Sequence, residues 1–226
     1  MQWLALGGEP VPFLSFRTLS RPLYAILIDG GFLTKKLYMK LGRHATADDI
    51  VAECDRLRQL PEVAEYELLR IYYYDAPPSA EGLSRPVSKS RIALSQTDRY
   101  RLSQSLYDHL VLKPHFALRM GETVVSPNRW RIKPRIAKEL ISEPRPLNDE
   151  DFDLDISQKG VDMRVGLDMA RLALKETVRA VIVVTGDSDF IPAFKFVRRE
   201  GVKVIYEPMG HNARIELRRH ADIVLA

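Results

Sequence analysis

The sequence is poor in the residues that staple, coordinate or anchor a chain. Cys54 is its one cysteine, so an internal disulfide and a cysteine-rich zinc site are both excluded. A reducing compartment, the cytoplasm, is the default. The five histidines (His44, His109, His115, His211 and His220) show no metal-ligand spacing. The opening MQWLALGGEPVPFLSF is apolar, but it has no basic leader and is broken by Gly7, Gly8, Glu9, Pro10 and Pro12. It reads as neither a secretory signal nor a membrane span, and no membrane partner is expected. There is no G-x-x-x-x-G-K-[ST] loop and no G-x-G-x-x-G after a strand, so an ordinary nucleotide-binding fold lacks support.

What the chain has is enough apolar residue for a sizeable core, at 226 residues and 46% hydrophobic. The expected organisation is an N-terminal extension of unassigned role at 1–21, then one domain over 22–226 with a basic inserted segment at about 84–150. The net charge of +4 permits a polyanionic partner without demanding one. Its placement is uneven. Between Ser84 and Arg135 the bases Arg85, Lys89, Arg91, Arg99, Arg101, Lys113, Arg119, Arg129, Arg131, Lys133 and Arg135 face only Asp98, Asp108 and Glu122. The following NDEDFDLD reverses the sign. Such a pattern suits a protein that attracts an anion and holds a cation, and equally a solvated helix face beside a charged loop.

Apolar periodicity gives the layout. LYAILIDG, ELLRIYYYDAPP, RAVIVVTG and VKVIYEP read as buried strands, and DIVLA as a short final one. HFALRMGETVV and DFDLDIS read as short strands. TADDIVAECDRLRQL reads as a helix capped by Thr46, with Cys54 on its core face. SKSRIALSQTDRYRLSQSLYDHLVL reads as one long basic helix, and VDMRVGLDMARLALKE, DFIPAFKFVRREG and NARIELRRHA as three more. Strands apolar throughout and alternating with helices predict an α/β fold, with a mostly parallel sheet covered on both faces.

Three of these strands end in aspartate: Asp29, Asp75 and Asp187. Asp189 follows two residues after Asp187, and Asp162 opens a helix just past Gly160. Ligands of open parallel sheets bind beyond the carboxyl ends of the strands, where such side chains converge. Each acid has a plainer role available. Asp189 can cap a helix for about 1 kcal/mol, Asp162 can complement a helix dipole for roughly 0.3–1 kcal/mol, and Asp75 can open the turn into APP. Together, Asp29, Asp187 and Asp189 at one sheet edge repel unless a cation lies among them. Oxygen donors with no cysteine beside them point to Mg²⁺ or Mn²⁺ rather than zinc. A haloacid-dehalogenase-type phosphatase would carry a second acid two residues after the first, where Gly31 stands.

LIDGGF, YYYDAPP, QKGVDMRVGLDMA, VVTGDSDFIPAFKFVRREGVKVI and LRRHADIVL occur in the order seen in NYN-domain proteins, the LabA-like branch of the PIN-like nuclease superfamily, and the chain resembles them over roughly residues 22–226. The resemblance implies a Rossmann-like, PIN-type sheet with an acidic pocket for Mg²⁺ or Mn²⁺, and metal-dependent ribonuclease activity on single-stranded or structured RNA. By motif, the catalytic and metal-binding acids are Asp29, Asp162, Asp187 and Asp189. Asp168 also belongs to the motif but lies about 120° round the helix from Asp162, so both cannot face one ion; it and Asp75 rank lower. Many relatives carry Asn where this chain has Phe32.

Phosphodiester hydrolysis needs an activated water, a neutralised phosphate and a stabilised leaving oxygen, which one or two divalent ions can supply. Thr185 and Ser188 are candidates to hydrogen-bond a metal water or phosphate oxygen, and Lys159 and Arg164 flank Asp162 within reach of the phosphate. In the basic segment, Arg129, Arg131, Lys133 and Arg135 alternate around Trp130, pairing phosphate contacts with a stacking platform for an unpaired base. The leading expectation is an endoribonuclease, as a monomer or homodimer. The alternative is a non-catalytic RNA- or protein-binding regulatory domain, which Phe32 favours. A phosphatase of small substrates needs fewer cations than this segment offers.

Overall fold

The computed structural model describes residues 21–211 and 215–225. The expected N-terminal extension, Arg21 apart, and residues 212–214 of the expected NARIELRRHA helix lie outside them. In chain order the elements are β1 Leu23–Asp29, α1 Gly30–Leu41, α2 Ala47–Arg58, β2 Glu67–Asp75, β3 Gly82–Ser84, β4 Arg91–Ala93, α3 Asp98–Leu110, β5 Phe116–Met120 and β6 Glu122–Ile132. There follow α4 Pro134–Ser142, β7 Phe152–Lys159, α5 Val161–Leu174, β8 Ala180–Val184, α6 Ile191–Arg199, β9 Lys203–Glu207, α7 Ile215–Arg219 and β10 Ile223–Val224.

Six strands form one sheet in the order β10-β9-β8-β1-β2-β5, and every pairing in it is parallel. The apolar run of β1 explains its central place. Tyr24, Ile26 and Ile28 point to one face, against Leu33 and Leu37 of α1, Ile50, Cys54 and Leu57 of α2, and Leu106 and Leu110 of α3. Ala25 and Leu27 point to the other, against Val165 and Met169 of α5, Phe194 and Val197 of α6, and Leu217 of α7. A strand whose two faces are both roofed by helices has no use for polar alternation. Cys54 is a buried, free thiol in the first of these cores.

Local signals set several boundaries. A reciprocal capping box starts α2: Asp49 N donates to Thr46 Oγ1 at 3.3 Å and Thr46 N to Asp49 Oδ2 at 2.7 Å. The single long basic helix expected from Ser88 is not formed. Arg91–Ala93 pairs with Gly82–Ser84 instead, and the helix begins at Asp98, where Thr97 Oγ1 caps Tyr100 N. HFALRMGETVV likewise divides at Gly121. Its first half completes the main sheet as β5, and its second half becomes β6, paired antiparallel with β7 in a separate two-stranded arm. Helix α4, between them, was not evident from periodicity; Pro134 sits at its first turn, where a missing N–H costs nothing.

Within this arm the acidic run and the basic run neutralise each other. Arg145 grips Asp151 with two bonds of 2.7 Å, Arg131 Nη1 lies 3.4 Å from Asp155 and Lys133 Nζ 3.9 Å from Asp153. Asp149 accepts from Val87 N and Ser88 N. NDEDFDLD thus ties the arm together. Among the described residues, no helix is long and apolar enough to cross a membrane.

Candidate active site at the carboxyl edge of the sheet

From β1 the chain winds outward through β2 to β5, then crosses back to β8 and winds the other way through β9 to β10. The order therefore reverses between β1 and β8, and a crevice opens there beyond the strand ends. Asp29 ends β1 on one side of it, and Thr185 and Asp187 follow β8 on the other.

Asp29 is fixed from two directions. Its Oδ1 caps α1 by accepting Phe32 N at 2.9 Å, and its Oδ2 accepts the Thr185 hydroxyl at 3.2 Å. Thr185 is 1% exposed, and its Oγ1 also accepts Asp187 N at 3.1 Å, so it joins the two strand ends rather than facing solvent. Asp187 in turn caps the short turn Ser188–Phe190 by accepting Asp189 N at 2.9 Å. The cap is thus Asp187; Asp189 is exposed within the turn and makes no cap of its own. Asp162 is the second residue of α5, exposed at its N-terminal end.

The charges of these groups meet. Burial pushes the Asp29 carboxyl above its usual range, its hydrogen bonds from Phe32 and Thr185 oppose this, and the charges of Asp75 and Asp162 add to the rise. Asp162 is also raised, by partial burial and then by Asp187 and Asp189. Asp75 is raised by burial, against bonds from Ala76 N at 2.8 Å and Gln158 Nε2 at 3.3 Å. A carboxyl with a raised folded pKa favours folding most when protonated. That contribution is full below the unfolded value near 3.8 and is lost as pH rises through the folded value. A divalent cation would offset the loss, in competition with protons. Mg²⁺ is therefore expected to raise the melting temperature at about pH 7.5 and to raise it less at about pH 5. Differential scanning fluorimetry checks this; an equal shift in Asp187→Asn protein would sink it.

Residues 135–225 match the family model of the NYN domain. Over that span the chain is similar to NYN domains. The match takes in Asp162, Asp187 and Asp189, whereas Asp29 enters the same edge from β1, outside the matched span. A solved structure of a protein of unknown function from Vibrio parahaemolyticus is similar across 91% of this chain and 93% of that one, with a TM-score of 0.50 and 16% sequence identity. At that identity the likeness is one of fold. No curated protein matches the chain. The architecture, a parallel sheet between two helical layers, is the α/β, PIN-like one expected.

The other singled-out residues fall in different places. Lys159 ends β7, exposed, close to Asp162 in sequence. Arg164 folds back to donate to Gly160 O at 3.0 Å. Asp168 is occupied by the Tyr74 hydroxyl at 3.0 Å and by Arg119, whose Nε lies 3.0 Å away. Trp130 and Arg131 take opposite sides of β6. Trp130 donates to Ser84 O at 2.9 Å beside Arg85, Lys89, Arg91 and Arg129, while Arg131 lines a cleft on the other side. Tyr72, Tyr73 and Tyr74 are all buried.

That cleft, of about 1120 Å³, runs between α1 and α3 on one wall and the β6–β7 arm on the other, with Asp75 and Gln158 among its lining. It reaches Gly31, where an added Cβ would stand 3.6 Å from Asp29 Oδ1. Among the described residues no group of three or more His, Cys, Asp or Glu side chains is placed to hold a metal ion by itself. The donor set, all carboxylate and hydroxyl at a solvent-facing edge, instead fits a hard cation that keeps several of its waters. Phe32, where relatives carry Asn, lays its ring against Gly186 and edge-on to His211 with centroids 5.9 Å apart.

Two features escaped sequence reasoning. Glu207 ends β9 at 1% exposure, accepts Met209 N at 2.7 Å and pairs with Arg56, which also binds Glu53 at 2.7 Å. Gln158, bonded to Asp75, couples the arm to the sheet edge. Strand-end position was a usable signal for Glu207; none marked Gln158.

Proposed function

We propose that this protein is a Mg²⁺- or Mn²⁺-dependent endoribonuclease. The observation that supports the reading is that Asp29 and Asp187, joined through the Thr185 hydroxyl, stand across the crevice between β1 and β8, with the charges of Asp187 and Asp189 felt at Asp162 and that of Asp162 felt at Asp29. Asp29 and Asp187 would hold the ion most directly, with Asp162 and Asp189 contributing directly or through water. When bound, the ion supplies charge neutralisation at the phosphate and a more acidic water.

The remaining work belongs to the chain. Thr185 ties the Asp29 carboxylate to the Asp187 backbone N–H across the crevice, so the two acids are pre-positioned before substrate arrives. Asp162 and Asp189, less buried, can accept the proton lost by an attacking water. Lys159, close by, offers a positive charge to the phosphate. Ser188 opens a turn whose backbone N–H groups face the same edge.

The second reading, a non-catalytic RNA- or protein-binding regulatory domain, is favoured by Phe32, an apolar ring where relatives place a polar side chain. The test is incubation with labelled single-stranded RNA in Mg²⁺, Mn²⁺ and EDTA, beside Asp187→Asn, which keeps the cap to Asp189 N. Metal-dependent cleavage that disappears in the variant is expected. A folded protein that binds varied RNAs and cuts none would transfer the assignment to the regulatory reading.

A further inference from the structure

The face of α1 that borders the cleft has a regular spacing: Gly31, Thr34, Lys35 and Tyr38, at i, i+3, i+4 and i+7. On a helix these positions form one stripe, about 10 Å long at 1.5 Å per residue. The stripe begins beside Asp29, at Gly31, and ends at Tyr38, whose ring is 49% exposed. His44 stands against that ring with centroids 5.3 Å apart and an interplanar angle of 52°. His44 and Arg99 also line the cleft. Among the described residues, Lys35 and Arg99 make no ion pair, in contrast to Arg131 across the way.

His44 covers part of the Tyr38 ring, yet the residue stays 49% exposed at the rim of the groove, which leaves apolar ring surface for another flat group. Two cations without carboxylate partners leave positive charge along the same wall. Aromatic ring plus unneutralised cation, in line with a phosphodiester-cleaving centre, is the recognition chemistry of an unpaired nucleotide. We propose that the Thr34–Lys35–Tyr38 stripe of α1, with Arg99 of α3 on the same wall, is a nucleotide subsite that seats one unpaired base of the RNA strand on Tyr38 and its phosphate on Lys35 and Arg99. The inference rests on the reading of the acids as the cleavage centre, and it makes the substrate single-stranded on that side of the cut, because a base held in a duplex has no free face for the ring. It also moves base stacking away from Trp130, which lies on the other side of β6 from this cleft.

The test is binding of a fluorescent single-stranded oligoribonucleotide in Mg²⁺ to Asp187→Asn protein, with and without changes at the stripe. Tyr38→Ala is expected to weaken binding roughly tenfold and Tyr38→Phe to restore it, as stacking requires. Lys35→Ala and Arg99→Ala are each expected to lower the salt dependence of binding by about one phosphate contact. Thermal melts confirm that the exposed substitutions leave the fold intact. Unchanged affinity in Tyr38→Ala overturns the subsite, as does equal loss toward duplex RNA, or a free mononucleotide bound as tightly as the strand. Cleavage by the wild type with no effect of Tyr38→Ala removes the subsite and leaves the nuclease. A Tyr38 effect on binding without cleavage by any form removes the nuclease and leaves the subsite. Absence of RNA binding removes both.

Discussion

Asp29→Asn protein is expected to lose RNA cleavage by about 10²–10³-fold, the scale on which loss of one electrostatic contact at a reacting centre is felt, while melting no lower than the wild type in metal-free buffer. The two outcomes separate because Asp29 has two roles. Its Oδ1 caps α1 at Phe32 N, and asparagine caps a helix as well as aspartate does. Its charge is another matter: buried at the strand end, near Asp75 and Asp162, the carboxylate is costly to ionise in the folded state. Asparagine keeps the cap and removes that cost. It also removes a negative charge that a divalent ion would use, so the Mg²⁺-induced rise in melting temperature should shrink in the same variant. A melt and a cleavage time course on one preparation decide the matter. Cleavage retained by Asp29→Asn would place the chemistry elsewhere; cleavage lost together with the fold would leave Asp29 a structural cap.

Gly30→Ala is expected to be a strongly damaging single-methyl change. An added Cβ at Gly30 would lie 2.5 Å from Tyr73 Cζ and 2.7 Å from its hydroxyl oxygen. Tyr73 is 0% exposed and pinned in the core with Ile28 and Leu33, so the ring has nowhere to go. Forcing extra volume into such a site typically costs about 1–3 kcal/mol and occasionally more. With about 2–4 °C lost per kcal/mol in a chain of this size, the melting temperature should fall by roughly 2–12 °C. A companion Tyr73→Phe change removes only the hydroxyl, so Gly30→Ala/Tyr73→Phe should recover part of the loss. If Gly30→Ala melts like the wild type, the close packing of α1 on β2 is wrong. In LIDGGF the first glycine is thus set by a ring more than forty residues away in the chain, which no local pattern announces.

The same contrast runs through the molecule. The strands were legible because burial on both faces erases alternation, leaving AILI and AVIVV as uninterrupted apolar runs. The placement of Asp29 and Asp187 was legible because aspartates at or just past strand ends in a parallel sheet have one edge to occupy. The long basic helix was not divided correctly, because its halves differ in partners rather than in propensity: Ile92 pairs with Leu83 in a hairpin, while Leu106 and Leu110 join the main core. Arg131 and Trp130, adjacent in sequence, were grouped as one RNA-binding surface, yet strand alternation sends them to opposite sides of β6. The strand-end position of Glu207 was legible but its ion pair was not, since Arg56, which makes its burial tolerable, lies 151 positions earlier.

The hydrogen bond between Thr185 and Asp29 spans 156 positions of the chain. During synthesis, β1 leaves the ribosome early and waits, for its neighbour on one side is among the last strands made. Until β8 emerges, Asp29 has no Thr185 beside it and no Asp187 across the crevice. A nascent chain therefore carries its first acid through 156 further positions before the proposed centre can assemble.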